Sequence, residues 1–141
     1  MDYEVKVSSI GDKCWYLYGE LHREDGPAIE WASGDKEWYT AGKLHRIDCP
    51  AVELIDGTKF WYKDGVYHRD GGPAVEDSDG TRVWYFNGKP HRVDGPAIEY
   101  ANGNKEWWLK GREFKTKETW FRVLKKEDKE KALFSVHFLG S

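Results

Sequence analysis

The sequence predicts a mainly β protein, an elongated twisted antiparallel sheet of tandem β-hairpin repeats with a small C-terminal helical cap. Three observations carry that reading. A glycine recurs at Gly11, Gly34, Gly57, Gly80 and Gly103, each 23 residues after the last. Four residues beyond each lies a tryptophan (Trp15, Trp38, Trp61, Trp84, Trp107), and an aromatic follows it as Tyr16, Tyr39, Tyr62, Tyr85 or Trp108. Past residue 114 the periodicity becomes helical. A fixed period that aligns without gaps is the mark of a repeat architecture.

Residues 1–10 alternate Tyr3, Val5 and Val7 with Glu4 and Lys6, which suits a capping strand. Residues 11–114 hold four and a half units. Within each, Ser33-Gly34, Asp56-Gly57, Asp79-Gly80 or Asn102-Gly103 marks a tight turn, and Asp-Gly and Asn-Gly supply the positive φ angles of type I′. A second glycine series runs through Gly19, Gly42, Gly65, Gly88 and Gly111, with the same chemistry at Asp64-Gly65 and Asn87-Gly88. The spacing predicts about two strands per unit, in the second unit 36–40 and 51–54. A two-residue turn at Ser33-Gly34 would set Ile29 opposite Trp38 and Trp31 opposite Lys36. That register puts Ile/Val and Trp on one face with lysine stems beside them, and Ala28, Glu30 and Tyr39 on the other. Residues 115–141 read as a helical cap, with Thr116 as N-cap and Trp120, Phe121 and Leu133 docking over the open edge. The three segments form one domain. The same apolar face could instead serve as a partner site or a dimer contact.

A chain of 141 residues suits one domain that needs no disulfide or metal to fold, and its two cysteines fit a reducing compartment. The N-terminus has no basic start followed by an apolar run, and no stretch has the length of a membrane span. The expected location is the cytoplasm. The formal charge of −3 gives no pull towards nucleic acid.

A unit of aromatic strand, Asn/Asp-Gly turn, Gly-x-x-His and second strand resembles the MORN repeat in its bacterial and phage variant form. The resemblance rests on Gly19/His22, Gly42/His45, Gly65/His68 and Gly88/His91 and covers residues 11–114. The chain departs from the usual unit in following the histidine with Arg and then Asp-Gly-Pro-Ala. Variant repeats of this kind are similar to those of bacterial antitoxin-like and phage proteins. The resemblance implies a scaffold for proteins or lipid surfaces, without enzymatic activity of its own, in the host cytoplasm if phage-encoded.

His22-Arg23, His45-Arg46, His68-Arg69 and His91-Arg92 are the candidate chemical groups, each close to an aspartate and a Pro-Ala pair. Equivalent histidines in neighbouring units stand about 10 Å apart, whereas zinc takes nitrogens at about 2.0–2.1 Å. No metal or cofactor is expected. A set that recurs in every unit also lacks the singular pocket of an active site. The repetition suits a structural role, with Arg on a carboxylate and His on a backbone group. The aromatic ladder reads as core, and the row of Lys13, Lys36, Lys59, Arg82 and Lys105 as a surface partly neutralised by Glu30, Glu53, Glu76 and Glu99.

The resulting expectation is a non-enzymatic protein-binding module, a scaffold or inhibitor of the antitoxin-like or counter-defence kind. The alternative is a binder of an anion (nucleotide, lipid headgroup or nucleic acid) through the His-Arg rungs. Candidate binding residues are Arg23, Arg46, Arg69, Arg92, Trp108, Trp120 and Phe121. Positions that break the repeat, including Cys49, Asp70, Gly71 and Pro90, are where a partner of different period would be met.

Overall fold

The two glycine series make different turns, and that difference sets the register. At the first series, the Gly34 N–H donates to the Trp31 carbonyl (2.9 Å) and the Trp31 N–H to the Asp35 carbonyl (3.0 Å). Within this loop only the glycine takes a positive φ, 100°. The loop is therefore three residues long with one left-handed glycine, not a two-residue type I′ turn. At the second series both central residues are left-handed, Asp64 at 49° and Gly65 at 81°, Asn87 at 50° and Gly88 at 79°. The type I′ chemistry belongs there.

One extra loop residue corrects the expected pairing by one position. Ile29 stands opposite Glu37, and Glu30 opposite Lys36. A slip of one flips every side chain to the other face. Tyr39 thus shares a face with Ile29, while Trp38 shares the face of Glu30. In the computed structural model, which describes residues 2–135, the result is a 12-stranded antiparallel sheet with three two-stranded hairpins beside it. Residue 1 and residues 136–141, at the far ends of the two expected caps, lie outside the described residues.

Two rows cross the sheet. On one face Lys13, Glu30, Lys36, Glu53, Lys59, Glu76, Arg82, Glu99 and Lys105 stand opposite one another in turn, alternating in sign along the row. On the other, the row is Cys14, Ile29, Glu37, Val52, Phe60, Val75, Val83, Ile98 and Glu106. Beside it, Tyr67 stacks between Tyr62 (4.5 Å) and Tyr85 (4.8 Å). The two carboxylates that interrupt this apolar row find donors on their own face. Glu37 accepts from the Trp31 indole and the Tyr39 hydroxyl, and Glu106 from the Tyr100 hydroxyl and the Trp108 indole.

The expected strand 36–40 is broken at Trp38. Ala51 donates to the Phe60 carbonyl (2.8 Å) on one side and accepts from the Trp38 N–H (2.7 Å) on the other. A regular strand residue points both groups the same way, so each Pro-Ala interrupts the ladder. After the break Tyr39–Thr40 pairs with Lys43–Leu44, giving the second row of hairpins. Ala28, Ala51, Ala74 and Ala97 are fully buried at these breaks, where a longer side chain has no room.

Side chains join unit to unit. Asp12 and Asp35 accept the N–H of Ala32 and Ile55 in the next turn, and Thr58 and Thr81 do the same for Ser78 and Ala101. At the C-terminal end Phe114 stands where histidine is expected. Helix α1 (Lys117–Arg122), with Thr116 accepting from the Thr119 N–H at its N-cap, the turn after it and helix α2 (Lys126–Leu133) pack Trp120, Leu124 and Ala132 in that order against Trp107 and Phe114. Leu133, expected to dock, is exposed, and α2 buries Ala132 in its place.

Trp120 is 0 % exposed and its indole donates to the Arg92 carbonyl at 3.1 Å. Trp120→Ala should cost about 3–5 kcal/mol, read from urea melts of the whole chain. A loss below about 1 kcal/mol would mean that the cap is not part of the cooperative unit.

Candidate functional site

Each rung begins with a histidine that reaches forward. Its Nδ1 accepts a turn N–H of the following unit, from Ala41 to His22 (3.0 Å), Asp64 to His45 (3.1 Å), Asn87 to His68 (3.0 Å) and Lys110 to His91 (2.9 Å). The next residue, arginine, turns back onto its own unit. Its guanidinium carbon lies 3.9 Å from the Trp15 ring centre for Arg23, 3.7 Å from Trp38 for Arg46, and 3.8 Å from Trp61 and Trp84 for Arg69 and Arg92. One nitrogen, Nη1, donates to the proline carbonyl at 3.0–3.2 Å and to the glutamate of the charged row at 3.1–3.3 Å. Both sequence roles, Arg on a carboxylate and His on a backbone group, are present in all four rungs.

The rungs then divide into two kinds. In the first and fourth, Nε also donates to an aspartate, Arg23 to Asp25 (3.0 Å) and Arg92 to Asp94 (2.8 Å). In the second and third it does not. Among the described residues, Nε and Nη2 of Arg46 and Arg69 have no acceptor. These two open rungs share a left-handed residue in the aspartate's place, where Asp25 and Asp94 are not left-handed, and they reach it by different substitutions. A Cβ at Gly26, Gly72 or Gly95 would come within 3.0, 2.9 or 2.8 Å of its own rung's guanidinium carbon. The second unit has Cys49 at that position, and its loop adopts another course, with Asp48 at a φ of 58°. In the third unit Gly71 stands in the aspartate's place at a φ of 80°, and Asp70 hydrogen-bonds His68 Nε2 at 3.2 Å instead. The Arg69 side chain is 30 % exposed against 9 % for Arg92.

The two open rungs face one groove of about 330 Å³, lined by His45, Arg46, Ile47, Asp48, Trp61, Tyr62, Lys63, His68, Arg69 and Asp70. Counting ionised side chains, the lining holds three cations and two carboxylates. Ile47, 76 % exposed, stands at its rim. A neighbouring groove of about 580 Å³ runs from Arg69 to Arg92, with Lys131 of the cap in its lining. The other predicted binding residues lie elsewhere. Trp108 is half-buried on the tyrosine face, Trp120 fills the cap, and Phe121 packs against the cap with Lys129 over its ring. Among the described residues no group of three or more His, Cys, Asp or Glu is placed to hold a metal, and no helix is long and apolar enough to cross a membrane.

Titrating groups follow their surroundings. Burial, reinforced by the Glu37 carboxylate, raises the Tyr39 hydroxyl, and burial with the adjoining Tyr67 raises Tyr62. Burial and then the Lys110 charge lower His91, with Asp128 opposing them. No protein-family model matches this chain, and no curated protein matches it.

Two expectations follow. A lysine cannot lie flat on an indole and bond carbonyl and carboxylate together, so Arg92→Lys should cost about 1–3 kcal/mol, measured by thermal and urea unfolding. An unchanged midpoint would remove the rung from the stability of the fold. His91 is lowered in the folded chain, so the unfolded chain binds its proton first as pH falls. Stability from this residue is complete above about pH 6.5 and is lost as pH drops through the folded value. Urea midpoints should fall from about pH 7 to about pH 5, and His91→Gln should flatten that slope. Equal slopes for the two proteins would mean that His91 does not titrate on unfolding.

Proposed function

We propose that this chain is a non-enzymatic protein-binding module whose partner places a carboxylate between Arg46 and Arg69. The observation that supports it is the pair of open rungs, two guanidinium edges without acceptors facing one groove. Elsewhere the rungs are closed and the Lys/Glu row neutralises itself, so the open pair is where an incoming acid gains most. Charge-assisted hydrogen bonds of this kind contribute about 1.5–3 kcal/mol each. The exposed Ile47 at the rim adds apolar contact beside the charge, which suits a folded protein surface better than a lone anion. A scaffold or inhibitor role agrees with the resemblance of the 23-residue unit to MORN-type arrays. The repeat-breaking residues Cys49, Asp70 and Gly71 would then set the docking point along the array.

The test is capture of a stoichiometric protein from the source cell, followed by affinity measurement on the purified pair. Lys63 is exposed, lies in the groove and makes no ion pair among the described residues, so Lys63→Glu changes the field without touching a rung. It should weaken the complex at least tenfold, and added salt should weaken the wild-type complex. Lys126→Glu, the same charge change on the cap, should leave it within about twofold. Equal affinities for wild type and Lys63→Glu would remove the groove from the interface. Saturable binding of inorganic phosphate, abolished by Lys63→Glu and with no protein retained, would instead favour a small-anion site.

A further inference from the structure

The two ends of the array are unlike. At the C-terminal end Trp120 and α1 pack against the last unit. At the other, strand β1 (Glu4–Val7) pairs, among the described residues, only with strand β2 (Lys13–Leu17) and is exposed along its whole length.

The main-chain bonds around β1 leave alternate groups of this strand free. Trp15 directs both of its groups away from β1, donating to the Ala28 carbonyl (2.8 Å) and accepting from the His22 N–H (3.0 Å). Ser8, just past β1, donates to the Asp12 carbonyl (2.9 Å). Since groups alternate along an antiparallel strand, Glu4 and Lys6 bond β2, and Val5 and Val7 turn their N–H and C=O outward. The two residues are 46 % and 62 % exposed. Val7 also occupies the place in the charged row, opposite Lys13, where later units carry glutamate. Nothing charged on the Arg-Trp face of β1 wards off another strand, and an open edge of this kind is a template for one.

The sequence of β1 also indicates which strand fits. Pairing must bring outward-facing residues together. An antiparallel copy centred on Val5 does so, and it sets Glu4 against Lys6 of the second strand twice, once on each side of the axis. Centring on Lys6 would oppose the two lysines. Centring on Val7 would leave both charges against uncharged residues. The Val5 register is the self-complementary one, and cross-strand opposite charges favour it.

We propose that this protein associates with a second copy of itself through β1, antiparallel and centred on Val5, forming a twofold dimer. A strand pair of this size buries less than the about 1,000 Å² of a stable interface, so the dimer is a transient one of micromolar affinity or weaker. The pairing is isologous and closes on itself, so it gives a pair of arrays and not a fibre. It does not depend on the groove or on any partner there.

Sedimentation equilibrium of the whole chain over a wide concentration range is the experiment. Wild type should pass from monomer to dimer. Val5→Pro removes an outward N–H that β2 does not use, so it should stay monomeric with an unchanged melting curve. Glu4→Lys should weaken the dimer at least tenfold, and Glu4→Lys combined with Lys6→Glu should restore it to within about threefold. A wild type that is monomeric at every concentration would overturn the proposal. So would a double variant no tighter than the single one, even if the proline variant failed to fold.

Discussion

A guanidinium lying flat on an indole is the contact on which this array depends. Most strands of the sheet are two residues long, and all three side hairpins pair only two residues with two. Pairs so short are not stable alone in water. Each arginine ties together three parts of its own unit, the tryptophan at the strand break, the proline carbonyl of the loop and the glutamate of the next strand. Stacking contributes about 0.5–2 kcal/mol and each charged hydrogen bond about 1.5–3 kcal/mol. The histidine beside it joins that closed unit to the next. The last tryptophan confirms the requirement by its exception. Among the described residues no arginine lies over Trp107, and Trp120 of the cap packs against it at 4.7 Å between ring centres.

How far the fold could be read from the residues depended on whether a signal was local. The period, the left-handed Asp64-Gly65 and Asn87-Gly88 turns and the Thr116 N-cap were legible because each is written in neighbouring residues. The rung roles were legible too, since an arginine, a histidine and a carboxylate recur at fixed spacing. The register was not. Asp-Gly or Asn-Gly can stand in a two-residue or a three-residue loop, and which one forms rests on whether the residue before glycine also becomes left-handed. Asp56, Asp79 and Asn102 do not. That single dihedral choice moved Tyr39 and Trp38 to opposite faces from those expected. Leu133 was missed for a different reason, since α2 is eight residues long and apolar spacing cannot say which one side meets the core.

The division into open and closed rungs also lay beyond periodicity. It rests on the course of the loop: the residue in the aspartate's place is left-handed in both open rungs, Asp48 at a φ of 58° and Gly71 at 80°, and the second unit also loses the glycine beneath the guanidinium. The sequence did carry a trace of it. Cys49 replaces that glycine, and Gly71 displaces an aspartate, in adjoining units. Read as irregularities they name positions; only the stacked guanidinium explains why a β-carbon there matters.

An array of near-identical units cannot locate a partner by its common parts, because each common part offers the same contact at every step. The alternating Lys/Glu row shows this in electrostatic terms. Lys36, Lys59 and Arg82 each lie between two glutamates, so the middle of the row carries little field beyond the short reach of its own charges. Position along the array has to come from a departure, and a departure is tolerated only where the unit's own lock survives it. Arg46 and Arg69 retain their tryptophan, proline carbonyl and glutamate contacts, and lack only the aspartate. The array therefore gains a distinct place at its centre without losing the contact that holds the unit closed. The same reasoning applies to the edge at β1, where Val7 replaces a glutamate that no preceding arginine calls for.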